Sequence, residues 1–179
     1  MNLPSIQSMK VYTFVVITII SVATLLGPTS NYVQVYKAVE KLNVTAAKSP
    51  ITFMQNYRTL ITVNVSVENP TGYSGIGIIS IMFNVFYLAA NGTTEQLSTG
   101  TRIWFTDEPG QLVGPHSAIS KSYDLVLNLE DKRSTFAELQ NLQNSGQKIE
   151  MLMENVGVDI DMFMGRIIVP AETVTLNHA

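Results

Sequence analysis

The sequence predicts an all-β domain, an antiparallel β-sandwich of the immunoglobulin or fibronectin kind with one short helix, set behind a single N-terminal transmembrane helix. Three observations predict it. Apolar and polar side chains alternate along several segments after Thr59, which is the period of a half-buried strand. Asn-Pro, Asn-Gly and Gly-Pro steps punctuate those segments, as turns do between short strands. A run of sixteen uncharged, mostly apolar residues, Val11 to Leu26, stands ahead of them all.

The apolar run comes first in the chain. As a helix it would measure about 24 Å, slightly short of the roughly 30 Å hydrocarbon core of a bilayer. Lys10 precedes it and Gly27-Pro28 follows it, while Tyr12 and Tyr32 stand where interfacial aromatic rings are favoured. Positive charge on the N-terminal side places the N-terminus inside and the domain outside. Ser21-Val22-Ala23 offers a second reading, a cleaved secretory signal, because small residues at that spacing suit a signal peptidase. Thr24-Leu25-Leu26 carries the apolar stretch past that point and favours a retained anchor. Both readings put the domain outside the cytoplasm. The division that follows is 1–28 anchor or signal, 29–41 stalk and 42–179 β-domain.

Tyr32 to Lys48 is a mixed stretch in which Val33, Val35, Val39, Leu42 and Val44 could form the connecting stalk and a first strand. From Thr59 to Glu68, Ile61, Val63, Val65 and Val67 share one face, and Asn69-Pro70-Thr71-Gly72 stops the ladder. Ile76 to Leu88 is apolar on both faces, which marks a central strand. Asn91-Gly92 supplies a hairpin turn into a partner strand, Gln96 to Phe105. Ser122 to Leu129 alternates again, with Tyr123, Leu125, Leu127 and Leu129 inward. Thr135 and Glu138 have the spacing of a capping box for a helix carrying Phe136, Leu139 and Leu142 and ending at Gly146. Val156 to Val169 closes the domain, with Gly165 as a bulge or bend. Six or seven strands result.

Composition limits the function. Of 179 residues only 14% are charged and the net charge is −3, so nucleic acid is not an expected partner. With no cysteine, thiol catalysis, disulfides and cysteine-based zinc sites are excluded. Sequons at Asn43, Asn64 and Asn91 agree with an exterior location, in a number close to what the composition alone would place.

No catalytic, cofactor or metal constellation emerges. His116 and His178 lack further ligands or an acid at a useful spacing. Asp159 and Asp161, two apart on a strand, could share calcium with Asp107 or Glu108, but a solvated strand face explains them better. Met151, Met153, Met162 and Met164 read as core filler. Gly72, Gly75 and Gly77 lack the lysine and helix start of a phosphate loop and suit a turn and a close strand approach instead.

The order of signals resembles a known family. VNVSVENP (Val63 to Pro70) leads into GIISIMFNVFYLAANG (Gly77 to Gly92). A Gly-Pro-x-Ser step at Gly114 to Ser117 precedes an alternating strand, a short helix and a final glycine-bearing strand, Asp159 to Val169. This is similar to the LEA14-like, or late-embryogenesis-abundant type 2, domain, also called the water-stress and hypersensitive-response (WHy) domain, over roughly Leu42 to Leu176. Thr71 stands where the family often has a second asparagine. The resemblance implies a small antiparallel sandwich with one helix, an N-terminal membrane segment in some members, no catalytic residues and a link with desiccation and other stresses. The functional expectation is a non-catalytic, membrane-anchored, extracytoplasmic domain that binds or shields other surface molecules. The alternative is a structural or accessory subunit of a cell-surface assembly or membrane complex.

Overall fold

The computed structural model of the protein describes residues 6–89, 91–106, 110–162 and 165–178. The chain begins with a long helix, α1 (Ile6–Glu40), of 35 residues, about 52 Å at 1.5 Å per residue. It does not stop at Gly27-Pro28 as the sequence suggested. Pro28 removes the one N–H that would reach the Thr24 carbonyl; nearby, the hydroxyls of Thr24 and Thr29 bond the carbonyls of Ser21 and Leu25 at 2.9 and 2.7 Å. Stretch 29–41, expected as a stalk, is therefore largely the continuation of the same helix. From Phe14 to Leu26 the helix is exposed, whereas Val35 and Ala38 on its last turns are buried in the core of the domain.

Among the described residues ten strands follow: β1 (Asn43–Lys48), β2 (Thr52–Phe53), β3 (Arg58–Asn69), β4 (Ile76–Leu88), β5 (Thr94–Trp104), β6 (Gln111–Val113), β7 (Ser117–Asn128), β8 (Glu150–Met162), β9 (Gly165–Pro170) and β10 (Val174–His178). They form one sheet, in the order β2-β3-β1-β10-β8-β4-β5, with β7 added to β3, β6 to β4 and β9 to β8. The pairings are antiparallel except β1 with β10. That parallel pair joins a group built on β3 to a group built on β4 and β8. The sheet curls until β5 and β7, far apart in strand order, come into contact.

The core lies inside the curl. Ile61, Val63, Val65 and Val67 of β3 are fully buried, as their alternation required. Ile76 to Ser80 of β4 are buried on both faces, and β5 and β6 flank one edge of the strand and β8 the other. Met151, Met153 and Met162 of β8 sit in the same core; Met164 lies outside the described residues. Gly77 meets Gly110 so closely that a Cβ on Gly110 would stand 2.7 Å from the Gly77 carbonyl carbon, so this crossing admits no side chain.

Four local expectations are corrected. The count of six or seven strands omitted β2, β6 and β10, which are too short to show a period. Gly165, at φ +109°, does not bulge one strand; it opens β9, the return arm of a hairpin in which it pairs with Met162. Tyr123 faces solvent at 42% exposure on the edge strand β7, while Leu125 and Leu127 on the same face are buried and Ile119 is half-buried. Finally, Thr135 and Glu138 form no capping box at the start of α2 (Arg133–Asn144). Their side chains reach into the sheet instead, Thr135 to Glu95 at 2.5 Å and Glu138 to the Tyr87 hydroxyl at 2.9 Å. Helix α2 is held further by Phe136, packed edge-on against Phe53 and Tyr57.

Candidate functional site

Three features stand out: the exposed helix, a cleft beside its end, and a buried charge cluster on the outer face of the sheet. The helix exposes Phe14, Ile19 and Leu25 at 72%, 61% and 68%. Apolar surface of that extent marks a surface made to be covered. The helix is long and apolar enough to cross a membrane, and a signal sequence passes the same test.

The cleft, of about 750 Å³, opens where α1 meets the sheet. It is lined by Tyr36, Val39 and Glu40 of α1, residues 43–46 of β1, residues 167–170 of β9 and the 171–175 segment. Its surface is more apolar than polar, and its charged side chains are Glu40 and Glu172. Sequence reasoning missed it, because it depends on β9 being a separate strand.

The charge cluster overturns the reading of Asp159 as solvated. Asp159 on β8 is fully buried. It accepts bonds from Arg166 Nε at 2.8 Å and Nη2 at 2.5 Å, from Arg102 Nη2 at 2.5 Å and from the Ser80 hydroxyl at 3.2 Å. Bonding to Arg166, above all, holds its carboxyl below the usual carboxylate range against the opposing effect of burial. Arg102 also bonds Ser80 and stacks on Trp104, 4.1 Å from the ring centroid. Asp161 is half-buried beside it, and Asp107 and Glu108 lie outside the described residues. Among the described residues no group of three acidic, histidine or cysteine side chains could hold a metal.

The remaining sequence candidates separate. His116 is exposed on a turn at φ +49° and gives its backbone N–H to Thr71. The neighbouring Ser117 hydroxyl donates to the Gly114 carbonyl at 2.7 Å, so the two do not form a nucleophile pair. His178 pairs through β10 with Lys48 of β1. Asn43, Asn64 and Asn91 are all exposed, as glycan acceptors must be. Two buried polar residues went unnoticed in the sequence. Lys48 is held below the ordinary lysine range, by burial first and by Lys148 second. Asn69, the strand-ending asparagine, donates to the carbonyls of Tyr73 and Gly114 and accepts from the N–H and hydroxyl of Thr71. Thr71 thus serves this junction without a second asparagine.

No family model matches the chain, and no curated protein does. Among solved structures, the chain is similar to a solution structure described as a candidate late embryogenesis abundant protein, at 20% identity over 92% of this chain and 88% of that one, with a TM-score of 0.34. It is also similar to a protein from Archaeoglobus fulgidus, at 15% identity over 76% and 96% with a TM-score of 0.35. A candidate ApaA protein from Bordetella pertussis aligns at 11% identity over 77% and 92%, with a TM-score of 0.41.

Proposed function

We propose that this chain is a membrane-anchored, non-catalytic LEA14-like domain on the extracytoplasmic side. Its role in this reading is to bind or shield other molecules at the membrane surface under stress such as desiccation. The observation that carries it is a single helix, apolar and exposed at one end and built into the domain core by Val35 and Ala38 at the other. A helix so arranged ties the domain to the bilayer through a rigid joint. The Asn-Pro strand end, with Asn69 buried and fully bonded, supports the family resemblance, and the two strand groups joined through β1 and β10 are consistent with a sandwich.

The test is fractionation of cells making the full chain. In this reading the protein stays in membranes after alkaline carbonate washing, and Ile19→Arg with Ile20→Arg releases it. Release of the unaltered chain would remove the anchor. A structural or accessory role in a surface assembly is favoured by one observation, the exposure of Leu112 and Ile168 at 68% and 58%. Obligate oligomers of the purified protein would support that second role.

A further inference from the structure

Strands β9 and β10 lie end to end along one edge of β8, at residues 157–162 and 151–153 respectively. The next position outward is only half filled. β1 covers β10, pairing Ala46–Lys48 with Leu176–His178. Beside β9 there is no strand among the described residues, and the cleft opens there. An edge strand presents alternate backbone N–H and C=O groups with no partner, and these direct the addition of another strand.

We propose that this slot binds an extended, basic peptide segment of a partner protein, added to the sheet as a strand on β9. The proposal deepens the reading of the domain as a binding module and rests on it. Length fits: β9 has six residues, about 20 Å of strand, and the cleft runs along it. Side chains fit as well. Ile167 and Val169 share the face of β9 that carries Ile160 and Val158 of β8, and Val39 and Val44 also line the cleft, so every second peptide side chain meets apolar surface. The one charged residue of β9, Arg166, is bonded to Asp159 and does not line the cleft. Charge sets the sign: the lining contains Glu40 and Glu172 and neither lysine nor arginine, so a peptide with lysine or arginine is favoured and an acidic one is repelled.

The experiment uses the full chain in detergent and a random nine-residue peptide library as the probe. Enriched peptides are expected to alternate apolar and polar residues and to carry lysine or arginine. N-methylation of their alternate backbone nitrogens is expected to weaken binding about tenfold or more, as loss of strand hydrogen bonds should. Glu40→Lys with Glu172→Lys, both at exposed positions, is expected to abolish the preference for basic peptides while leaving the protein folded. Bound peptide should slow amide exchange at 165–170. Three results would overturn the proposal: no enrichment, enriched peptides indifferent to N-methylation, or a cleft filled by a second copy of the chain or by lipid in place of peptide. Membrane retention, measured on the same cells, remains in each of those cases, so loss of the peptide site is distinguishable from loss of the anchored-domain reading.

Discussion

Asp159 and Arg166 are joined by two hydrogen bonds across the hairpin from β8 to β9, seven residues apart in the chain. The pair pins the return strand to the sheet, and the buried carboxylate also holds Arg102. Asp159→Asn removes the charge but not the volume. It is expected to destabilise the domain by about 2–3 kcal/mol, less than a fully buried pair because both guanidinium groups are partly solvated. Thermal unfolding measures it. The carboxyl is held below its unfolded value near 3.9, so its contribution is present above about pH 4 and is lost as pH falls toward the folded value. The variant should lose this acid-dependent part of the stability curve.

Asn69→Ala tests the strand-end junction. The side chain satisfies groups of Thr71, Tyr73 and Gly114 at once, and its removal leaves half-buried backbone groups without partners. A loss of about 2 kcal/mol is expected by denaturant titration. Asn69→Asp keeps the acceptor but loses the two donated bonds, and it should fall no better than midway.

Tyr87 carries an alkaline signature. Burial, and then its bond to Glu138, push its phenol up to about 12 from the ordinary value near 10. A raised folded value means the contribution is complete below about pH 10 and disappears as pH rises toward 12. Ultraviolet titration should show one tyrosine ionising late, together with unfolding. Tyr87→Phe should remove that late step at a cost of about 1 kcal/mol.

The joint between helix and domain is testable at Ala38, which has no exposed surface. Ala38→Glu buries an unpaired charge there and should undock the last turns of α1. Limited proteolysis should then cut near residues 40–42, where the unaltered chain resists.

The long alternating strands were legible because burial of one face imposes a two-residue rhythm, and Ile61 to Val67 keep it without exception. What the rhythm cannot report is where a strand folds back. Val158, Ile160 and Met162 alternate to the end of β8, and Ile167 and Val169 resume on the same face from the opposite direction, so one strand and a hairpin look alike. The cleft and the Asp159–Arg166 pair both depend on that reversal and were hidden with it. The run of α1 past Pro28 escaped notice because proline is the usual stop signal, whereas burial of Val35 and Ala38 in the core holds the last turns of this helix. Thr135 and Glu138 matched a capping spacing, yet partners across the fold, Glu95 and Tyr87, took both side chains.

The proposed reading puts the domain on the extracytoplasmic side of a membrane. The chain has no cysteine, so a single cysteine at exposed Ser122 gives one addressable site. A membrane-impermeant maleimide applied to intact cells is expected to label Ser122→Cys fully in the membrane fraction, with no gain after lysis. Labelling only after lysis, or labelled protein found free of membranes, would contradict it.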